Sequence, residues 1–202
     1  MNYTTFKANL KSFPVFSMPD IRILFPQFDR RRLTEWQEKG YICKLVKGWY
    51  TFADAGMDER MLWAIANKIY TPSYISLETA LAHYNLIPES VFGVTSVSTR
   101  RTYSFQTKIA TFSYRTLKPR LFFGYEVLSD RAKFALPEKA ILDYLYFHPS
   151  LRLPADFEAL RIDPSEFKSR INSEKMNAFL LRFDSRTLST RAQAMMKWAS
   201  HA

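Results

Sequence analysis

The sequence predicts an α+β protein in two parts, residues 1–55 and residues 56–202. Three observations predict it. The first 55 residues read as three short helices followed by a two-stranded hairpin. Residues 91–128 alternate apolar and polar side chains with period two, the mark of half-buried strands. From Pro137 onward the pattern is helical. Composition agrees with a packed chain. At 47% hydrophobic and 16% aromatic, the 202 residues are far from a disordered composition. A chain of this length buries about 70% of its unfolded surface and needs no disulfide or metal staple.

In the first part, Tyr3, Phe6 and Leu10 recur at helical spacing over residues 2–11. Phe13–Phe16 breaks that helix and reads as extended, because Pro14 restricts the residue before it. Ser17 is a natural N-cap, with Pro19 in the first turn of a short helix that buries Ile21, Leu24 and Phe25. Asp29 is a second N-cap, opening a helix over Arg30 to Lys39 that Gly40 closes from the C′ position. Tyr41–Leu45 and Trp49–Phe52 read as strands joined by a turn at Val46-Lys47-Gly48.

This order of elements is that of a winged helix-turn-helix, in which the last helix enters the major groove and the hairpin lies along the backbone. At about 100° per residue, Leu33 and Trp36 share the inward face of the third helix. Arg31, Glu35 and Glu38 point outward, with Arg32, Thr34 and Lys39 on the flanks. Arg31 and Arg32 are placed to reach base edges or phosphates, and Glu35 to accept from cytosine N4. Arg30 lies nearer the core edge, as a phosphate clamp. Lys44 and Lys47 on the hairpin are expected to touch phosphates. The candidate DNA-binding residues are therefore Arg30, Arg31, Arg32, Thr34, Glu35, Lys39, Lys44 and Lys47. The competing reading is a small helical unit whose arginines are only solvated.

Asp54-Ala55-Gly56 forms a polar joint. After it, Asp58 caps a helix through Met61, Leu62, Ile65, Ala66 and Ile69, stopped by Thr71-Pro72. Ser76 caps the next helix, with Glu78 favourable in its first turn. Strands are expected over 91–99, 102–107, 109–117 and 121–128, most simply as an antiparallel sheet. Pro137 opens a helix that is apolar nearly all round and hence buried, with Lys139 and Asp143 as i, i+4 partners. Asp163-Pro164-Ser165-Glu166 starts another helix, and two more follow over about 174–183 and 187–200.

The net charge of +10 is uneven. Residues 1–55 hold nine basic and five acidic side chains, a net +4. Residues 100–133 hold eight basic and two acidic, a net +6, and the remainder is neutral. The second block includes Arg100, Arg101, Lys108, Arg115, Lys118 and Arg120, a basic face for DNA or a nucleotide. Catalytic constellations are missing. His83, His148 and His201 have no metal-ligand spacing with one another or with Cys43. His83 and His148 read as helix C-terminal caps, and Cys43 as a small packed hydrophobe. Five scattered glycines exclude a glycine-rich phosphate loop. No apolar run is long enough for a membrane span, and Met1–Thr5 lacks a signal-peptide start. The expectation is a cytoplasmic binding protein, not an enzyme, with no cofactor and no metal.

Several segments together resemble the AbiEi family of type IV antitoxins. They are Lys39-Gly40-Tyr41-Ile42, Lys47-Gly48-Trp49-Tyr50, Thr71-Pro72-Ser73-Tyr74-Ile75-Ser76-Leu77-Glu78-Thr79-Ala80-Leu81 and Leu86-Ile87-Pro88-Glu89. Thr95–Thr99, Phe123-Gly124-Tyr125 and Ala135-Leu136-Pro137-Glu138-Lys139-Ala140-Ile141-Leu142-Asp143-Tyr144-Leu145-Tyr146 follow in order, so the likeness runs over about residues 15–147. The resemblance implies a winged helix that binds inverted repeats in its own promoter. It also implies a C-terminal domain that counters a cognate nucleotidyltransferase-like toxin without requiring a stable complex. The alternative is a winged-helix transcriptional regulator with no toxin partner. The shared segments read as structural and not catalytic, with Ser76 a cap and Pro137-Glu138 a helix start.

Overall fold

A computed structural model of the protein describes residues 2–88, 93–129 and 131–201. Among these residues the architecture is α+β, with two sheets and two apolar cores.

The first part contains α1 (Tyr3–Leu10), β1 (Phe16–Ser17), α2 (Met18–Leu24), α3 (Arg31–Glu38), β2 (Ile42–Val46) and β3 (Trp49–Phe52). Local chemistry fixes each start. Asn2 accepts from the Thr5 amide at 2.8 Å, and Asp20 reaches back to the Ser17 amide at 2.8 Å. The strands form an antiparallel sheet in the order β1-β3-β2, with Phe16 opposite Tyr50 and Ile42 opposite Phe52. Of the extended segment expected at residues 13–16 only Phe16 lies in a strand, and with Ser17 it adds a third strand to the hairpin. Phe6, Phe16, Ile21, Phe28, Leu33, Trp36 and Phe52 pack between the helices and this sheet. Leu24, expected inside, is instead 41% exposed. The chain leaves helical geometry at Phe25, and the turn that follows brings Phe28 into the core.

The second part begins with α4 (Glu59–Ile69), capped by Asp58, whose carboxylate accepts from the Met61 amide at 2.8 Å. Then come β4 (Ser73–Ile75), α5 (Leu77–His83), β5 (Val94–Ser98), β6 (Tyr103–Gln106), β7 (Thr111–Thr116), β8 (Tyr125–Val127), β9 (Lys133–Ala135) and α6 (Pro137–Phe147). Four helices complete the chain: α7 (Pro154–Ala159), α8 (Pro164–Arg170), α9 (Ser173–Phe183) and α10 (Arg186–His201). The sheet has six strands in the order β6-β7-β5-β4-β9-β8.

This sheet is mixed, which corrects the antiparallel expectation. β5 runs parallel to β7, and β4 parallel to β9. Period-two alternation assigns a side chain to a face of the sheet but says nothing of which strand pairs with which. The β6–β7 hairpin lays its second strand on β5, so the direction repeats. β4 and β9, at three residues each, are too short to alternate visibly. Of the strand expected over 121–128 only Tyr125–Val127 forms, because Pro119–Leu121 is a 3-10 turn. The expected strand start at Val91 lies outside the described residues.

α4 covers one face of the sheet, with Trp63 against Phe134 at 4.6 Å and Tyr70 against Tyr114 at 4.6 Å. The Tyr114 hydroxyl donates to the Ala66 carbonyl at 2.7 Å. α6 covers the other face, and α9 and α10 pack on α6 in turn. The two parts touch. Val15 and Leu45 belong to the second core, and Val46 and Trp49 pack against it. The outer side of the small sheet is therefore anchored on the larger body.

His83 is not the helix cap that was expected. Asn85, at φ +56°, ends α5, with its amide bonded to the Ala82 carbonyl and the Leu86 amide to the Leu81 carbonyl. The His83 ring sits edge-on to Trp63 and Phe134, each at 4.9 Å, with one edge left in solvent. Desolvation by these neighbours lowers its pKa below the ordinary 6.5. A lowered folded-state pKa means the unfolded chain binds the proton first, so stability falls as pH drops through 6.5 and below. His83→Gln should flatten that part of an acid-denaturation profile, read by circular dichroism. His148 does cap its helix, with Nδ1 at 2.9 Å from the Tyr144 carbonyl.

Candidate nucleic-acid interface

α3 begins where Asp29 accepts from the Arg31 amide at 2.9 Å. It ends with Gly40 at φ +68°, whose amide bonds the Gln37 carbonyl while the Tyr41 amide bonds Trp36. Only a residue at ease with positive φ closes a helix this way, and here the closure turns the chain directly into β2. Leu33 and Trp36 are 1% and 3% exposed and hold the helix to the core. Arg31, Thr34, Glu35 and Lys39 face solvent, and Arg32 is half-buried. Arg30, expected nearer the core edge, is exposed just ahead of the helix. Lys44 is exposed on β2, and Lys47 on the two-residue turn between β2 and β3. The fold thus gathers all eight candidates on the α3 helix, its N-terminal approach and the adjoining hairpin.

Their charges are partly answered within the chain. The Arg31 guanidinium clasps Asp29, with Nε at 3.0 Å and Nη2 at 2.9 Å from Oδ2. Lys39 pairs with Glu35 at 2.6 Å, one helical turn apart. These partners hold the carboxyls of Asp29 and Glu35 below the ordinary carboxylate range. Among the described residues, Arg30, Arg32, Lys44 and Lys47 make no ion pair within the chain.

The second basic block divides. Arg100, Arg101, Arg115, Lys118 and Arg120 are exposed, at or beyond the end of the sheet where β5 and β7 finish. Arg100 lies over the Tyr70 ring at 4.5 Å, and Arg115 over Phe147 at 5.0 Å. Lys108 does not join them. It is in the β6–β7 turn, at the opposite end of a hairpin that runs from the Tyr103–Tyr114 pair to the Gln106–Thr111 pair. The six residues do not form one face.

A polar cluster that sequence reasoning missed lies inside the body. Tyr74 of β4, Ser76, and Lys139 and Asp143 of α6 converge, all at most 1% exposed. Lys139 Nζ donates to the Tyr74 hydroxyl oxygen at 2.7 Å and pairs with Asp143 Oδ1. Asp143 Oδ2 accepts from Tyr74 at 2.8 Å and from Ser76 at 2.9 Å. Ser76 precedes α5 as expected, but its hydroxyl serves Asp143 and caps no amide. The ammonium lies 4.9 Å from the Phe183 ring centre and 5.1 Å from that of Phe123. Burial lowers the Lys139 pKa and raises that of Tyr74 well above its ordinary value. Gly124 makes room for this arrangement, since a Cβ there would stand 3.0 Å from Lys139 Cγ. Glu138 is also buried, and its Oε1 accepts from the Asn172 amide at 2.9 Å. The available signal was a Lys–Asp pair at i, i+4 on a helix with no polar face. The cluster ties β4 to α6 and is closed to solvent, which suits a structural lock.

No helix among the described residues is long and apolar enough to cross a membrane, and no group of three potential metal ligands forms among them. No protein-family model matches the chain, and no curated protein matches it, so the reading of this interface rests on its own residues.

Proposed function

We propose that the chain is a DNA-binding antitoxin that represses its own operon, of the kind the AbiEi resemblance implies. The observation that carries the reading is the combination of element order and surface. The order helix, strand, two helices and a hairpin, with the sheet ordered β1-β3-β2, supports the winged helix-turn-helix reading. Its α3 would enter the major groove, with Arg31, Arg32, Thr34, Glu35 and Lys39 toward the base edges. Arg30, Lys44 and Lys47 would neutralise phosphates. The internal pairs leave the surface only modestly positive, which favours readout at a specific site over indiscriminate attraction. Arg31, already oriented by Asp29, meets guanine as a preformed fork. The body would counter a nucleotidyltransferase-like toxin, and its exposed arginines at the end of β5 and β7 are a surface for that role or for a wider DNA footprint.

Two experiments test the reading. Footprinting upstream of the gene should protect an inverted repeat, and Lys47→Ala should lower the slope of log K against log salt by about 0.9, the value of one phosphate contact. An unchanged slope removes Lys47 from the interface. Co-expression should relieve the growth arrest caused by the product of an adjacent nucleotidyltransferase-like gene. Failure of rescue, with promoter binding intact, would leave a regulator without the antitoxin role.

A further inference from the structure

The second part of the chain exposes an aromatic ring next to arginines that carry no counter-charge. β6 is an edge strand, so its outer side meets no other strand of the sheet. Tyr103 and Phe105 lie opposite Tyr114 and Phe112 of β7, on the face that α4 covers. α4 ends at Ile69, and beyond this cover Tyr103 is left 47% exposed. Its ring is held from beneath. It lies 18° from parallel to Tyr70, with centres 6.4 Å apart, and meets Phe105 at 4.7 Å. Tyr70 is fixed in turn, its hydroxyl donating to the Arg101 carbonyl at 2.7 Å and its ring lying under the Arg100 guanidinium at 4.5 Å. Arg100, Arg101 and Tyr103 are all exposed around this buried tyrosine, so rings and guanidinium groups form one patch. Arg115 takes no part, because it lies over Phe147 on the α6 side of the sheet. No acidic residue occurs between Glu89 and Glu126. Among the described residues, neither Arg100 nor Arg101 makes an ion pair within the chain.

Uncompensated arginines alone fit any polyanion, duplex DNA included. The rings narrow the occupant. A duplex keeps its bases stacked inside and offers this surface its phosphates, whereas an unpaired base presents a π-face to an exposed ring. A protein of mixed charge would find no acid here to answer its own basic groups. Unpaired, splayed bases are the ordinary target of recognition in RNA. We propose that the edge around β6 binds single-stranded RNA, with a base stacked on Tyr103 and the adjoining phosphates on Arg100 and Arg101. The patch uses no residue of α3, so RNA is held there whether or not α3 reads DNA.

Fluorescence anisotropy of the full chain with a labelled, unstructured RNA of about 12 nucleotides tests it, a length within the usual span of single-strand sites. The comparison is the same strand annealed to its RNA complement. The free strand should bind at least about tenfold more tightly than the duplex, an effect within the value of one stacked base. Tyr103→Ala should weaken the free strand about fivefold to a hundredfold, while Tyr103→Phe, which keeps the ring, should not. Arg101→Ala should lower the slope of log K against log salt by about 0.7, the value of one phosphate contact on a single strand. Arg31→Ala on α3 should leave RNA affinity unchanged, which separates a failure here from a failure of the DNA reading. Duplex RNA bound as tightly as the free strand would overturn the proposal. So would absence of saturable binding, affinity indifferent to Tyr103→Ala, or affinity lost with Arg31→Ala.

Discussion

Asp143→Ala should cost about 3–5 kcal/mol of folding stability, the usual penalty for removing one member of a buried ion pair. The substitution strands the Lys139 ammonium at 0% exposure, with a single hydroxyl and aromatic rings around it. It also takes the acceptor from Tyr74 and Ser76. A typical domain has only about 5–15 kcal/mol to lose, so much of the population would unfold at growth temperature. Urea denaturation measures the loss. The contrasting variant is the double change Lys139→Met with Asp143→Asn. It removes both charges yet keeps an amide oxygen for the two hydroxyls, and it should recover most of the stability because no ion is left unpaired. A single variant as stable as the native chain would mean that the cluster holds nothing together.

Phe6→Ala should cost about 3–5 kcal/mol, as expected for an aromatic side chain deleted from a core that cannot close over the gap. Phe6 is 0% exposed, and its ring meets Trp36 at 4.6 Å, Phe16 at 5.4 Å, Phe28 at 5.5 Å and Phe52 at 6.1 Å. These neighbours come from α3, the edge strand β1 and the central strand β3 of the small sheet, and the turn before α3, so no single shift refills the space. Trp36 is the side chain that seats α3, and the cavity loosens the helix that carries Arg31 and Arg32. Denaturation followed by tryptophan fluorescence should show the lower midpoint. A loss under about 1 kcal/mol would mean that the site collapses freely, contrary to this packing.

Much of the first part was legible because its signals are local. Ser17, Asp29 and Gly40 each act within three residues of the helix end that they define, and the Leu33–Trp36 spacing gave the orientation of α3. The antiparallel hairpin of β2 and β3 follows from the turn between them. The second part was legible in its long elements and not in its pairing. α4, α6, α9 and α10 carry sustained periodicity, whereas β4 and β9 carry too few residues to show any. The parallel contacts of β5 with β7 and of β4 with β9 join segments far apart in sequence, which no local pattern records. The buried cluster failed for the same reason. Lys139 and Asp143 read as an ordinary helical pair until β4 brings Tyr74 beneath them. In the second basic block, charge could be counted along the chain, but the separation of Lys108 from Arg100 and Arg101 depends on the geometry of a hairpin.

The central claim is that the α3 surface reads a DNA sequence. Fluorescence anisotropy with two labelled duplexes at one fixed salt concentration tests it most directly, one duplex carrying the inverted repeat upstream of the gene and the other its scrambled composition. The native chain should prefer the repeat by at least about a thousandfold, the low end for sequence-specific proteins. Arg31→Ala should lose about 1–3 kcal/mol of that preference while its circular dichroism is unchanged. Equal affinity for both duplexes, or a preference that Arg31→Ala leaves intact, would contradict the claim.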